Sequence, residues 1–528
     1  MQNSKESVHI SPSEWRWVIL FSGALVLLAF IPFLWVAITG ASGTGMQFMG
    51  IFNNPFDGAT YLSKMQQGYE GSWLIYFRHT SEQHSPVFIQ VLYPLLGHIA
   101  RLISIPTIAL FHVARVVASL IMYMALYHFG ATIWPRQRAR RIFFTVVAVG
   151  SGLGWIGILF GIESPDLTIP EIYPFYSSLV NVHFPFTLAC IAFIASVLIS
   201  AFRPGNNYVP SLNNGGGAVA LLTFVLSLLY PQAIVPLAGA VTLYALIHGL
   251  RQRVFPLREL RWLLLLILPA LPMAAYYAAV LNYNLTAMEW NRQNVTLSPA
   301  FWLLLVGLGV PLLMAIPGIV RALRRFEQDG DQFMIIWFIV MLVAMYMPTN
   351  YQRRFAVGMM IPIAYFVTRA LEGYWFNFVN RRWRYRLLMA VVPTITMSYL
   401  LVLLSNLSIT VGPFLERDYV AAFQWLKQHP QTDEVILASP DVSVWIPGWV
   451  GARVVYGHPF ETMNAVEKEL QVISWYSAQN DADCKALIDQ FSVKYVIIGP
   501  QETAIGATKC TDILDPVFNY GSVTVYAP

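Results

Sequence analysis

Charged residues are scarce in this chain, and cysteine is almost absent. Only 12% of the 528 residues are Asp, Glu, Lys or Arg, whereas 56% are hydrophobic and the mean hydropathy is +0.55. Soluble proteins carry about twice that share of charge, so a soluble multidomain chain is excluded. Three cysteines exclude a disulfide-rich scaffold and a cysteine-rich metal site. The net charge of +5 is too small and too dispersed to indicate a nucleic-acid partner.

Long apolar runs predict an α-helical polytopic membrane protein. A helix needs about 20 apolar residues to cross the hydrocarbon core. The first run is not followed by a small-residue cleavage site, so we expect it to be a span rather than a signal peptide. Eleven runs approach or reach the required length, at residues 16–38, 106–128, 140–161, 180–202, 216–231, 233–250, 260–281, 299–320, 332–348, 354–371 and 386–406.

Lys and Arg are distributed unevenly between the connections, and this predicts the orientation. Alternate connections carry 16 Lys and Arg residues in one set and six in the other. Cytoplasmic connections are the ones enriched in Lys and Arg, so we expect a plasma-membrane protein with a cytoplasmic N-terminus. The first long loop, at about 39–105, and the tail then lie outside. The apolar stretch 87–105 is interpreted as an interfacial or re-entrant helix; as a transmembrane helix it would raise the count to twelve or thirteen.

The tail predicts a small extracytoplasmic α/β domain at 411–528, after a transmembrane domain at 1–410. Cys484 and Cys510 could pair there only outside the cytoplasm. Trp445, Trp449 and Tyr456 offer surfaces for stacking on sugars, although core packing is the more usual role. We expect strands at 434–438, 453–456 and 495–498, helices at 419–427, 464–476 and 483–491, and a hairpin at 517–526.

The first outer loop holds the densest set of polar residues. Asp57 lies just beyond a turn, and Tyr61, Met65 and Trp73 follow it at helical spacing. This spacing predicts an amphipathic helix along the membrane surface. Asp57 would then lie at the outer membrane face, and it could also serve as a helix N-cap; the two roles are compatible.

Other outer segments supply cationic and polar side chains. Arg78, His79 and His84 precede the 87–105 stretch, and Arg353 and Arg354 lie in a very short outer loop, against the general charge trend. Guanidinium groups suit phosphate oxygens, although such a loop also serves as a headgroup anchor.

Two more features involve polar residues near or within the spans. An acidic outer connection contains Glu163 and Asp166 and ends near His183. Arg115 lies inside a predicted span, where pairing within the bundle is the usual role and substrate contact the alternative.

These residues resemble the GT-C superfamily of integral-membrane glycosyltransferases, and they look most like the branch with bacterial aminoarabinose transferases and protein O-mannosyltransferases. Beyond about residue 160 the resemblance is architectural only. The motif-level similarity lies in Asp57, Tyr61, Met65, Gly68 and Trp73, followed by Ser85, Pro86 and Arg101.

The resemblance implies transfer of a sugar, hexosyl or pentosyl, from a polyprenyl-phosphate donor to a lipid, glycan or protein acceptor. It implies that Asp57 is the general base and that the anomeric carbon is inverted. We assign the lipid phosphate to Arg353 and Arg354. Further substrate contacts are assigned to Lys64, Arg78, His79, His84, Tyr61 and His183.

The sequence departs from the family pattern at two places. Gly58 follows Asp57 where many relatives have Glu, and Ser85 with Pro86 replaces a basic residue and a Pro-Pro pair. No metal ligand is assigned and no cofactor is certain, while a divalent cation is compatible if Glu163 or Asp166 completes the ligands. The alternative function is a transporter or flippase of lipid-linked sugars, which requires polar residues through the bilayer midplane.

Overall fold

The structure is a computed structural model that describes residues 10–39, 45–204, 209–410, 412–429 and 434–528. The chain forms two compact units. The first unit comprises residues 1–31, 114–275 and 296–405, and the second comprises residues 32–113, 276–295 and 406–528.

Apolar helices confirm the prediction of a multi-pass membrane protein. Within the described residues, nine helices are long and apolar enough to cross a membrane, and two shorter apolar helices accompany them. Each coincides with one of the eleven predicted spans. In chain order they are Pro12–Thr39, Thr107–Ile133, Gln137–Phe160, His183–Phe202, Gly216–Leu229, Pro231–Gln252, Leu257–Tyr283, Phe301–Arg325, Asp331–Met345, Gln352–Phe378 and Arg381–Ser405.

Buried charged groups in the first unit have polar partners, as a low-dielectric surrounding requires. Arg140 lies 3.1 Å from the carboxylate of Glu14. Arg115 is 1% exposed and donates hydrogen bonds to the carbonyls of Ser178 and Leu179, at 3.0 and 2.7 Å. These bonds agree with the packing role expected for Arg115.

The 87–105 stretch, which the sequence left as either an interfacial or re-entrant helix or a transmembrane helix, contains a short helix in the second unit. The helix runs over Leu92–Leu102 and has 11 residues. At a rise of 1.5 Å per residue it is about 16 Å long, roughly half the hydrocarbon thickness. It is therefore too short to be a transmembrane helix.

The strands of the described residues all lie in the second unit and form two sheets. β1 (Met46–Phe48) and β2 (Phe414–Glu416) pair antiparallel. The strands of the larger sheet are β3 (Val435–Leu437), β4 (Arg453–Val454), β5 (Val493–Ile498), β6 (Asp515–Tyr520) and β7 (Val523–Ala527). Their order in the sheet is β4-β3-β5-β7-β6, and β3 is parallel to β4 and to β5.

Helices Arg417–Gln428, Ala465–Tyr476 and Asp481–Phe491 lie between these strands in the chain. The tail therefore contains each predicted helix and strand, including the hairpin, whose turn has Gly521 at a φ of 57°. The β1–β2 pair was not predicted, because three-residue strands leave no periodic signal. Trp445 and Tyr456 are 1% and 4% exposed, so both pack in the core rather than offer open stacking surfaces.

A disulfide joins Cys484 to Cys510, which are 26 residues apart, and Cys190 is free and buried. The bond closes the segment between helix Asp481–Phe491 and the strand β6. In the chain-entropy account, a disulfide that closes a loop of this length stabilises the folded state by about 3 kcal/mol, because it restricts the unfolded chain.

We predict that one cysteine per chain reacts with a maleimide-polyethylene glycol reagent when the protein is denatured without a reductant. All three should react after reduction, because two of the three thiols are held in the bond. Gel shifts measure the count. Cys484→Ser with Cys510→Ser should show one reactive thiol under both conditions, and three reactive thiols in the unreduced wild type would contradict the pairing.

Candidate active site

The candidate base lies in the first turn of a helix that we call the loop helix, Pro55–Glu70. Asn54 is its N-cap, in the left-handed conformation with φ at 53°, and its side chain accepts a hydrogen bond from the backbone N–H of Asp57 at 3.4 Å. Pro55 at the first helical position fits this start, because its missing N–H has no partner to lose. Asp57 is therefore not the N-cap, as one interpretation had it, but a residue of the first turn.

The loop helix is buried, which corrects the prediction of a helix lying along the membrane surface. Every residue from Gly58 to Gly68 is buried. Two glycines let helix Leu92–Leu102 approach closely: a Cβ on Gly68 would lie 2.1 Å from the carbonyl oxygen of Pro94, and one on Gly97 would lie 2.0 Å from that of Met65. The loop helix therefore contacts protein on several sides, and its amphipathic spacing does not indicate a side that faces lipid.

Asp57 remains accessible although its helix is buried. Its side chain is 37% exposed. The amide nitrogen of Asn54 donates to Oδ2 at 2.5 Å, and Nε2 of His458 lies 3.4 Å from Oδ1. His458 is 2% exposed. The carboxylate therefore accepts a hydrogen bond from its own helix cap and lies beside a histidine about 400 positions later, while its side chain stays accessible.

A buried ion pair lies farther along the same helix. Lys64 and Glu461 are 1% and 5% exposed and form a short salt bridge. Nδ1 of His79 lies 3.3 Å from the other oxygen of Glu461, and its Nε2 donates to the carbonyl of Val444 at 3.0 Å. We call Lys64, His79 and Glu461 the buried triad.

Burial and charge act in opposite directions on the pKa values of Glu461 and His79. Burial alone raises the pKa of Glu461, but the charge of Lys64 and the ring of His79 together hold it well below its usual range. Burial lowers the pKa of His79, and Glu461 only partly offsets this effect. Glu461 is therefore ionised and neutralises Lys64, so both predicted substrate contacts, Lys64 and His79, have structural partners in this state.

The other predicted contacts of the second unit also have protein partners. Arg78 is 2.7 Å from Glu70, and the two line a cavity of about 480 Å³. His84 lines the same cavity. Its Nε2 accepts from the backbone of Phe77 at 3.0 Å, and its Nδ1 donates to a carbonyl at 3.0 Å. The ring of Tyr61 stacks on Tyr93 with centroids 4.2 Å apart.

Segment 78–82 is held against the C-terminal sheet and the residues that follow it. The carbonyl of Arg78 accepts from Val454 in β4 at 3.1 Å, and Thr462 donates to the carbonyl of His79 at 2.6 Å. Lys468 is 2.6 Å from Glu82. The first outer loop and the tail therefore form one packed body, although they are far apart in the sequence.

Arg353, Arg354 and His183 belong to the first unit. The backbone N–H of Arg353 donates to the carbonyl of Thr296 at 3.1 Å, and its Nε is 3.9 Å from Glu171. The guanidinium of Arg354 lies over the ring of Tyr351, 5.5 Å from its centroid. The ring of His183 stacks against Tyr230, with centroids 6.2 Å apart.

Two acidic groups bear on the question of a divalent cation. Asp166, a candidate ligand from the sequence, is buried, and its Oδ2 accepts from Ser398 at 2.5 Å and from the backbone N–H groups of Gly152 and Gly154. These three hydrogen bonds give the Asp166 carboxylate a structural role, because they join the segments that carry the donors. The described residues contain one cluster of three carboxylates whose spacing would suit a metal ion: Glu327, Asp329 and Asp331.

Cations of the chain already occupy that carboxylate group. Arg369 is 2.8 Å from Asp329 and 3.1 Å from Asp331, and Arg321 pairs with Asp331 as well. An all-oxygen set suits a hard cation, but two guanidinium groups neutralise it here. This group does not fit a divalent metal while the arginines are in place.

Comparison with known proteins identifies the fold. No family model and no curated protein matches the sequence. Among solved structures, ArnT from Cupriavidus metallidurans bound to undecaprenyl phosphate has a TM-score of 0.58 at 12% identity, over 97% of this chain and 98% of that one. The chain has the GT-C fold.

Two further structures with the GT-C fold are larger than this chain. An Archaeoglobus fulgidus oligosaccharyltransferase in complex with Zn and sulfate has a TM-score of 0.54 at 14% identity, over 97% of this chain and 73% of that one. The arabinofuranosyltransferase AftD from Mycobacteria has a TM-score of 0.52 at 11% identity and is covered over 40% of its length. The GT-C resemblance of the sequence is confirmed at the level of fold.

The sequence analysis missed His458 and Glu461. Both lie in residues 457–462, a turn whose polar side chains carry no periodic signal. Glu461 contacts a residue 397 positions away, and a single sequence gives no means of pairing such positions. A lone histidine and glutamate in a polar tail are ordinary, so nothing in the sequence marked them.

We predict that Glu461→Gln destabilises the protein by about 3–5 kcal/mol at neutral pH, because it leaves the Lys64 charge buried without a counterion. The carboxylate's contribution is complete above its unfolded pKa, about 4.3, and is lost as the pH falls towards its lower folded value. The difference in Tm between wild type and variant should therefore narrow below about pH 4.

Thermal unfolding of the detergent-solubilised full chain measures this difference. Glu467→Gln, an exposed glutamate of the same domain, is the matched control and should leave Tm unchanged. Lys64→Met combined with Glu461→Gln should cost less than the sum of the single changes, since no charge is stranded. A pH-independent difference would contradict an ionised, paired Glu461.

Proposed function

We propose that this chain transfers a sugar from a polyprenyl-phosphate donor to an acceptor at the outer membrane face. The observation that carries the proposal is the Asp57 carboxylate. It is 37% exposed and oriented by Asn54 and His458, in a helix whose next eleven residues are buried. A fixed, accessible carboxylate is what a general base requires.

In the proposed reaction, the acceptor hydroxyl oxygen attacks the anomeric carbon of the donor. Asp57 accepts the hydroxyl proton as the new glycosidic bond forms. The bond between the anomeric carbon and the phosphate oxygen breaks, and the polyprenyl phosphate leaves with the electron pair. One displacement inverts the anomeric carbon, and a phosphate is a good enough leaving group to need no second carboxylic acid.

Arg353 and Arg354 are assigned to the lipid phosphate by their chemistry. Charge accumulates on the departing phosphate, and guanidinium groups stabilise such charge through paired hydrogen bonds. Nε of Arg353 is 3.9 Å from Glu171, which is 4% exposed. Both arginines lie at the start of the Gln352–Phe378 span, in the short helical turn Gln352–Ala356.

Several observations support this assignment of reaction and side. The GT-C structures include one bound to undecaprenyl phosphate and one tethered to an acceptor peptide. A disulfide between Cys484 and Cys510 suits an oxidising compartment, as the placement of the tail outside requires. The surplus of Lys and Arg on the alternate connections supports a cytoplasmic N-terminus.

The proposed steps use only side chains of this chain. A divalent cation has precedent in the oligosaccharyltransferase complex with Zn. The carboxylates of Glu327, Asp329 and Asp331 are paired with arginines, and none of the proposed steps involves a metal ion.

We predict that Asp57→Asn lowers transfer by at least about 100-fold, because the amide cannot accept the hydroxyl proton. The assay incubates the purified chain with undecaprenyl-phosphate-linked hexoses and pentoses and an envelope extract from the native host. Release of undecaprenyl phosphate is followed by mass spectrometry.

The chain offers a matched control for this substitution. Asn480 caps helix Asp481–Phe491 as Asn54 caps the loop helix: it accepts from the backbone N–H of Asp483 at 2.9 Å and donates to its carboxylate at 2.7 Å. Asp483→Asn should keep wild-type transfer. Wild-type turnover in Asp57→Asn would rule out Asp57 as the base, whereas no release of undecaprenyl phosphate even by the wild type would favour a transporter or flippase.

We predict that Arg353→Ala with Arg354→Ala weakens binding of undecaprenyl phosphate by about tenfold or more, because two charge-assisted contacts to phosphate are lost. The shift of Tm with added undecaprenyl phosphate measures this binding. Arg324→Ala with Arg325→Ala removes another adjacent, exposed pair and should leave the shift unchanged. Equal shifts in all three proteins would return Arg353 and Arg354 to the role of headgroup anchors.

A further inference from the structure

The ring of His458 is held in one tautomer by its own turn. Its Nδ1 accepts hydrogen bonds from the backbone N–H groups of Phe460 and Glu461, at 3.0 and 3.2 Å. A nitrogen that accepts two hydrogen bonds carries no proton, so the ring proton of neutral His458 lies on Nε2. That nitrogen faces Oδ1 of Asp57 at 3.4 Å.

The turn around His458 has little freedom to move. The hydroxyl of Thr462 accepts from the backbone N–H groups of Gly457 and His458, at 3.2 and 3.1 Å, and donates to the carbonyl of His79. The next side chain along, Glu461, belongs to the buried triad. The imidazole is therefore fixed by the same contacts that join segment 78–82 to the tail.

Another asparagine-capped helix, Asp481–Phe491, shows that the histidine contact is not part of capping. Asp483 has the same bonds to Asn480 that Asp57 has to Asn54. Among the described residues, Asn480 is the one hydrogen-bond partner of the Asp483 side chain, and no histidine forms an ion pair with it. The His458 contact is thus additional to what a helix start requires.

We propose that His458 is a positioning residue for the proposed base, and this inference rests on the proposed function. Nε2–H directs one oxygen of the carboxylate while Asn54 directs the other. The separation of 3.4 Å exceeds an ordinary hydrogen bond, as catalytic contacts often do before substrate binds. Through this contact the C-terminal domain takes part in catalysis without touching the substrate.

Two amide substitutions separate positioning from support of the turn. In His458→Asn the amide oxygen takes the place of Nδ1 and keeps the bonds to the turn, but no group reaches Asp57. In His458→Gln an amide N–H reaches the place of Nε2, while the acceptor for the turn is lost. A positioning role predicts more activity in the Gln variant, whereas a purely structural role predicts more in the Asn variant.

The experiment measures kcat and the donor KM of the full chain with an undecaprenyl-phosphate-linked sugar that the wild type turns over. We expect His458→Asn to lower kcat by about 10- to 100-fold with KM within about twofold, since a misplaced base costs rate rather than binding. The kcat of His458→Gln should be higher than that of His458→Asn. The gain in log kcat should be at least about a third of the difference between His458→Asn and the wild type. His429→Ala, which removes an exposed histidine of the same domain, should match the wild type.

The outcomes distinguish this inference from the proposed function. A kcat for His458→Asn within twofold of the wild type, with Asp57→Asn inactive, overturns the inference alone. Lower activity in the Gln variant than in the Asn variant also overturns it. Full activity in Asp57→Asn overturns the base itself. A Tm measurement with undecaprenyl phosphate shows that each variant is folded, and the Asn and Gln variants avoid the cavity that His458→Ala would leave.

Discussion

The salt bridge between Lys64 and Glu461 is the interaction on which the candidate site depends. Both groups are almost fully buried, so neither tolerates the loss of the other. The pair fixes the middle of the loop helix to the turn at 457–462, and the same turn presents His458 to Asp57. A charge pair that would be a minor contact on a surface is here what sets the position of the candidate base.

The candidate base combines two requirements that usually conflict. A carboxylate that accepts a proton from a substrate must be accessible to that substrate, and its oxygens must also be held in a fixed orientation. The structure meets both by burying the helix and leaving its first turn open. Asn54 supplies the local constraint and His458 the distant one, so Asp57 is held without being enclosed.

Sequence reasoning could predict the spans and the helices and strands of the tail, because each leaves a local pattern, while the role of Asp57 stays a prediction. Apolar runs of span length, strand–helix alternation and a polar first loop are visible in a single chain. The burial of the loop helix was not predicted, since an amphipathic face does not say whether lipid or protein covers it. His458 and Glu461 were not predicted because their roles come from contacts between residues far apart in the chain.

In the proposed reaction, Asp57 faces the sugar of a lipid-linked donor. A cryo-electron microscopy structure with an undecaprenyl-phosphate-linked sugar analogue would test it most directly. The account predicts that a carboxylate oxygen of Asp57 lies on the side of the anomeric carbon opposite the phosphate, close enough to accept a proton from an incoming hydroxyl. A donor bound with its anomeric carbon remote from Asp57, or with Asp57 shielded from it by protein, would contradict the account.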